Sequence, residues 1–185
     1  MFRWLLALAL LGAASLAQAD EALWTLLRKG GQVVLVRHGL TDPGVGDPPG
    51  FQLDACRTQR NLSDEGRADA RRLGEALRTR GVPVESVLSS PWCRCLETAQ
   101  LMFGRPAQPQ PALGNLFGRH EREAQQVAEL RKLVRAPQGG GNLFLVTHGS
   151  TTLALTGVSP ATTEMVVLTP LAGGGFRVAG RLAAP

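Results

Sequence analysis

Histidine is scarce in this chain of 185 residues: there are three, at positions 38, 120 and 148. Cysteine is as scarce, at 56, 93 and 95. No histidine lies at ligand spacing from those cysteines, which argues against a structural zinc site. No Asp/His cluster of the sort that holds a catalytic divalent cation is visible either. Aromatic residues make up only 5%, too few for a stacking platform on single-stranded nucleic acid. Beyond the N-terminus there is no long apolar run, so no further membrane span is expected. Internal repeats and linker-like stretches are missing as well, which points to one domain.

Residues 1–19 carry Arg3, an apolar core from Leu5 to Ala14 and the small-x-small sequence Ala17-Gln18-Ala19, with Asp20 and Glu21 following at once. This is the pattern of a secretory signal peptide, too short for a transmembrane anchor. The expectation is an exported protein, periplasmic or secreted, without a stable membrane anchor. Removing residues 1–19 from the 185 leaves 166, enough for one domain with a real core, residues 20–185. The formal net charge of +5 then falls to +4, because Arg3 leaves without an acid. Much of the arginine excess lies between Arg57 and Arg80, with Arg94, Arg119 and Arg122 beyond. These arginines are interleaved with carboxylates along helices, which disfavours nucleic acid. A focused field that attracts small phosphorylated molecules fits better. In an exported protein the three cysteines should pair. Cys93 and Cys95 are too close along a helix to bridge each other, so Cys56 is expected to bond one of them and leave the other free and buried.

Strands and helices alternate. A short helix over 23–29 ends at Gly30-Gly31, and a strand follows over 32–37. Residues 41–51 hold three prolines and three glycines and read as a loop long enough to shape a site. Ser63-Asp64-Glu65 opens a helix, Ser63 as its cap, that stops at Gly81. Residues 84–89 form a second strand, and Pro91 starts the next helix, which ends at Gly104. Residues 105–118 give at most a short strand, and 121–135 are helical. A strand ending at Thr147-His148, a short helix, and strands over 165–169 and 176–181 complete an α/β sandwich with a mostly parallel sheet.

Two of the three histidines stand in one context. Val33-Val34-Leu35-Val36-Arg37-His38-Gly39 and Leu143-Phe144-Leu145-Val146-Thr147-His148-Gly149 are each an apolar strand ending in His-Gly. Ligands bind at the carboxyl edge of parallel strands, so both imidazoles and Arg37 should converge on one crevice. Imidazole is suited to act as nucleophile or proton carrier near neutral pH. Arg37 and Arg94 can hold phosphoryl oxygens with bidentate guanidinium forks, and Arg94 lies in the first turn of a helix, where free N–H groups favour an anion.

Four segments resemble the histidine phosphatase superfamily, the phosphoglycerate mutase-like fold. They are Arg37-His38-Gly39, Asn61-Leu62-Ser63-Asp64-Glu65-Gly66, the stretch Ser89-Ser90-Pro91-Trp92-Cys93-Arg94-Cys95-Leu96-Glu97-Thr98-Ala99, and Val146-Thr147-His148-Gly149. Order and spacing agree from about residue 32 to 170. The resemblance implies a three-layer sandwich, a phosphohistidine formed on His38, and Arg37, Arg94 and His148 around the phosphoryl group, with no metal or other cofactor. Gly39, Thr41, Gln59, Arg60 and Ser150 are candidate substrate-binding residues, although Thr41, Gln59, Arg60 and Ser150 read equally well as loop-stabilising side chains. His120 reads as solvated.

The departure from the family pattern is the general acid. The superfamily often places a Glu beyond the Arg94-type segment, or an Asp directly after the second histidine. Here that second position is Gly149. Glu164, Glu121 and no dedicated acid remain as alternatives. Glu164 is preferred, because only fifteen residues lie between it and His148 and the chain has little room to cross the sheet and return. The expected activity is hydrolysis of phosphomonoesters, of which cell-envelope sugar phosphates are one natural class. Mutase activity is disfavoured, because the short insertion between Arg94 and His148 leaves little material to exclude water. The alternative is a non-catalytic phosphate- or phosphosugar-binding protein of the same fold.

Overall fold

The computed structural model describes residue 18, residues 20–135 and residues 139–184. The expected leader thus lies outside the described residues, apart from position 18.

Val33-Val34-Leu35-Val36 is aliphatic, mostly β-branched and buried on both faces, as a central strand requires. It forms β1 (Val33–Arg37), and β4 (Asn142–Thr147), buried along its whole length, lies beside it in parallel with Arg37 opposite Thr147. On the far side of β4, β2 (Val84–Ser89) and the two-residue β3 (Gln108–Pro109) continue in parallel. On the other side of β1, β5 (Met165–Pro170) and β6 (Phe176–Leu182) are antiparallel. The order is β3-β2-β4-β1-β5-β6. The sheet is therefore mixed: β3, β2, β4 and β1 run parallel, β5 is reversed, and β6, antiparallel to β5, runs with the first four again. Chain length explains the reversal. The helix after β4, α5 (Gly149–Thr156), has eight residues and spans about 12 Å at 1.5 Å per residue. A six-residue strand such as β4 is about 20 Å long. With so short a helix the chain does not return across the sheet, and β5 starts from the edge where β4 ended.

Side chains alternate across β1. Val34 and Val36 pack with Trp24 and Leu27 of α1 (20–29), Leu73 and Leu77 of α2 (Asp64–Thr79), and Ala99 and Met102 of α3 (Cys93–Phe103). Val33 and Leu35 face the opposite layer, with Leu130 and Val134 of α4 (Glu123–Arg135) and Leu155 of α5. Each of the Val, Leu and Met side chains among them, fully buried, contributes roughly 1.5–3 kcal/mol. Ser63 caps α2 as expected, its Oγ accepting from the Gly66 N–H at 3.1 Å. Two helix starts differ from expectation. The α3 helix begins at Cys93 with extended Trp92 as its cap, so Pro91 stands outside the first turn. Residues His120–Arg122 form a 3-10 turn before α4.

Candidate active site

The two His-Gly turns meet because their strands are neighbours in register: the His38 N–H donates to the Thr147 carbonyl at 3.0 Å. The end of β2 reaches the same edge, where the Ser90 N–H donates to the Val146 carbonyl at 2.8 Å. The helix that follows carries Arg94 as its second residue. Thr98, one turn on, donates its hydroxyl to the Arg94 carbonyl at 2.7 Å and accepts from the Gly39 N–H at 3.1 Å, tying the β1 turn to α3. A Cβ at position 39 would meet the Gly66 carbonyl oxygen at 2.7 Å, so only glycine lets this turn approach α2.

His38 is buried, and its Nδ1 lies 2.8 Å from the Gly39 carbonyl. A carbonyl accepts only, so Nδ1 carries the proton and Nε2 holds the free lone pair. Burial pushes the His38 pKa down to about 3, aided by Arg94 and Arg37 and opposed by the Gly39 bond, so the ring is neutral at pH 7. His148 is buried too, and loss of solvent, with His38 and Arg94 nearby, drives its pKa well below the usual histidine range. Its Nε2 lies 2.8 Å from the Ser90 hydroxyl, and its Nδ1 has no partner. The two rings stand edge to face with centroids 5.2 Å apart.

Arg37, His38, Arg60, Arg94, His148 and Ser150 line one cavity of about 390 Å³. The structure thus brings together six of the ten residues singled out from sequence. Among the described residues, five buried side-chain nitrogens or oxygens lack a partner: Arg37 Nε, Arg60 Nε, Arg94 Nε, His148 Nδ1 and Thr163 Oγ1. The four nitrogens all belong to residues of this cavity. Buried polar groups are rarely left unpaired, so the cluster sets this region apart from the rest of the core. Arg37 is aimed by a bond from its Nη1 to the Pro160 carbonyl at 2.8 Å.

Other expectations are corrected. Gln59 is a loop brace: its Nε2 donates to the Gln52 and Leu53 carbonyls at 3.0 and 3.1 Å, and its Oε1 accepts from the Cys93 N–H at 3.0 Å. Thr41 forms an antiparallel bridge with Leu62 and does not line the cavity. Gly39 serves the turn and not the cavity wall. Ser150 donates to Asn115 Oδ1 at 2.9 Å. Glu164 does stand at the start of β5, its carbonyl accepting from the Arg37 N–H at 3.1 Å. Its carboxylate, however, is clamped by Arg181 at 2.8 and 2.7 Å and accepts from the Ala161 N–H at 2.6 Å. Burial raises its pKa, but Arg181 and that N–H outweigh burial and hold it below the ordinary value. An ionised, fully engaged carboxylate outside the cavity is not placed to donate a proton there. It organises the turn whose Pro160 carbonyl aims Arg37. Glu121 and His120 are exposed on the 3-10 turn and do not line the cavity.

The residue that sequence reasoning missed is Asp47, in the loop of 41–51. Its carboxylate accepts from Arg94 at 2.6 and 3.2 Å, from the Arg60 N–H at 3.1 Å and from Trp92 Nε1 at 3.0 Å. Its side chain is only 4% exposed. Burial raises its pKa, but these donors, Arg94 above all, hold it below the usual carboxylate range. The available signal was an acid in a proline-rich loop facing an arginine-rich site. The loop is fixed from below by a Cys56–Cys93 disulfide, which settles the partner left open by the sequence; Cys95 is free and buried.

The family model for the histidine phosphatase superfamily (branch 1) matches residues 33–129. No curated protein matches the chain in sequence. Among solved structures, the protein histidine phosphatase SixA complexed with tungstate is similar, with 20% identity, a TM-score of 0.62, and coverage of 83% of this chain and 97% of that one. Bacillus stearothermophilus YhfR is also similar, with 22% identity, a TM-score of 0.61, and coverage of 80% and 95%. So is a phosphoserine phosphatase from Entamoeba histolytica in complex with 3-phosphoglyceric acid, with 14% identity, a TM-score of 0.59, and coverage of 82% and 96%. With the family model spanning more than half of the sequence and both His-Gly turns on one sheet edge, the chain belongs to the histidine phosphatase superfamily.

Proposed function

We propose that the protein hydrolyses phosphomonoesters through a phosphohistidine on His38, without a metal ion. The observation that carries this is the convergence of Arg37, Arg60, Arg94 and His148 on one cavity with a neutral histidine whose Nε2 is free. Phosphoryl transfer needs positioning and neutralisation of equatorial oxygens, which these guanidinium groups supply. His38 Nε2 attacks phosphorus, the N–P bond forms, and the P–O ester bond breaks with its electron pair going to the leaving oxygen. Water then attacks phosphorus, the N–P bond breaks with its electron pair returning to Nε2, the water's proton passes to solvent, and inorganic phosphate leaves. If Nε2 of His148 accepts from the Ser90 hydroxyl, its Nδ1–H is a donor for the phosphoryl oxygens. The similar structures support the reading at the level of chemistry: one holds tungstate, a tetrahedral oxyanion, and one is a phosphoserine phosphatase. Export, as a periplasmic or secreted enzyme, is part of the proposal and rests on residues 1–19.

His38→Ala is expected to remove turnover of nitrophenyl phosphate and the acid-labile, base-stable labelling of the protein by substrate phosphate. A residual rate above about 1% would exclude a covalent histidine, since loss of a nucleophile costs several orders of magnitude. Activity should persist in EDTA; restoration by one divalent ion after EDTA would overturn the metal-independent mechanism. A protein that binds phosphate tightly but leaves nitrophenyl phosphate intact would be the non-catalytic binder instead.

A further inference from the structure

We propose that the alcohol this enzyme releases is an uncharged aromatic one, a phenol and not a sugar or a hydroxy acid; the proposal rests on the phosphatase reading above. Three observations converge on it.

The first is the cavity rim. Among the described residues, six large apolar side chains are exposed, and three of them, Val45 at 85%, Phe117 at 58% and Leu153 at 47%, line this one cavity. They come from three separate segments, the 41–51 loop, the stretch before the 3-10 turn, and α5. Exposed apolar side chains gathered around a concave polar site mark the part of a ligand they contact.

The second is charge. The cavity is lined by the guanidinium groups of Arg37, Arg60 and Arg94, and the Asp47 carboxylate neutralises one of them. Both histidines are neutral. The remaining two positive charges match one phosphomonoester dianion and leave no cation for a carboxylate or second phosphate on the leaving group. Arg119 stacks on the Trp92 and Phe51 rings, 5.4 and 5.8 Å from their centroids, and does not line the cavity. The other polar groups of the wall, Asn115, Ser150 and Ser159, are uncharged.

The third is protonation. No carboxylate lines the cavity among the described residues, and the residues outside them contain no Asp or Glu side chain. Glu164 and Asp47 are each ionised and held by arginine. An alkoxide departs poorly without a positioned acid, which is worth roughly 10²–10⁴-fold. A phenolate departs without one: the P–O bond breaks, the oxygen keeps the electron pair, and water protonates it afterwards.

The test compares kcat/KM of the enzyme for 1-naphthyl phosphate, phenyl phosphate, 4-carboxyphenyl phosphate, octyl phosphate, glycerol 3-phosphate and 3-phosphoglycerate. The expected order puts 1-naphthyl phosphate at least about 10²-fold above octyl phosphate, and octyl phosphate above both glycerol 3-phosphate and 3-phosphoglycerate. At similar leaving-group pKa, 4-carboxyphenyl phosphate should fall below phenyl phosphate. In Phe117→Ser the ratio of 1-naphthyl to glycerol 3-phosphate should drop about tenfold, the scale of a lost apolar pocket contact. Equal rates for octyl and naphthyl phosphate, preference for 3-phosphoglycerate, or an unchanged ratio in Phe117→Ser would overturn the aromatic assignment while leaving the phosphatase reading intact. Failure to hydrolyse any of these esters, together with absence of His38 labelling, would sink both.

Discussion

Reduction of the Cys56–Cys93 disulfide gives the most quantitative test of how the site is held. The bond closes a separation of 37 residues. In the chain-entropy model such a loop corresponds to about 4 kcal/mol of stability at 25 °C. For a domain of this size, 1 kcal/mol shifts Tm by roughly 2–4 °C, so the reduced protein should melt about 8–16 °C lower. The bond also anchors the segment that supplies Arg60 and braces Gln59 against the start of α3, next to Arg94. Loss of stability should therefore come with a raised KM for phosphate esters. The variant Cys56→Ser/Cys93→Ser, compared with wild type by urea unfolding under oxidising conditions, isolates the effect from the reductant. Thiol counting completes it: one reactive thiol in denatured, non-reduced protein, and none in the native state, where Cys95 is buried and its pKa is pushed up to about 12. Three thiols under denaturing conditions, or a difference below about 1 kcal/mol between variant and wild type, would refute the reasoning.

Stability should fall as pH drops from 7 to 5. His38 stays unprotonated in the folded state, with a pKa of about 3, while the unfolded histidine near 6.5 takes up a proton. Stability is thus full above pH 6.5 and lost below it, by about 2 kcal/mol at pH 5 for this group alone. His148 adds in the same direction, and a flat urea midpoint between pH 7 and 5 would contradict both. Glu164→Gln should lower kcat/KM for nitrophenyl and alkyl phosphates by similar factors, because it loosens the turn that aims Arg37; a selective loss on alkyl phosphates would restore Glu164 as the acid. Asp47→Asn should tighten competitive inhibition by inorganic phosphate several-fold, since the anion no longer faces a carboxylate on Arg94. Weaker inhibition would show that Asp47 acts chiefly to orient that arginine. Ser90→Ala should reduce kcat more than KM by freeing His148 Nε2, an effect that Ser90→Thr partly rescues if its hydroxyl reaches the ring; a change in KM alone would assign Ser90 to packing.

What the sequence by itself determined were features written into local pattern. Short apolar runs ending in His-Gly read as buried strands with their histidines at one edge, and β1 and β4 are those strands. Ser63 before two acids is a cap wherever its helix packs. Arg37, His38, Arg94 and His148 converge because each sits at the carboxyl end of a strand or the first turn after one. Tertiary structure decided what depends on rotation and on chain return. Cys93 and Cys95 lie about 200° apart around a helix, and only the packing of α3 turned Cys93 toward Cys56 and Cys95 into the core. Glu164 reaches the correct edge of the sheet, but Arg181 on the neighbouring antiparallel strand claims its carboxylate, a partner seventeen positions away. Asp47 sits 47 positions before Arg94 in a loop without periodicity, so no local signal joins them. Their pairing exists because a proline-rich loop, fastened at Cys56, folds over a buried guanidinium group that needs a counter-charge.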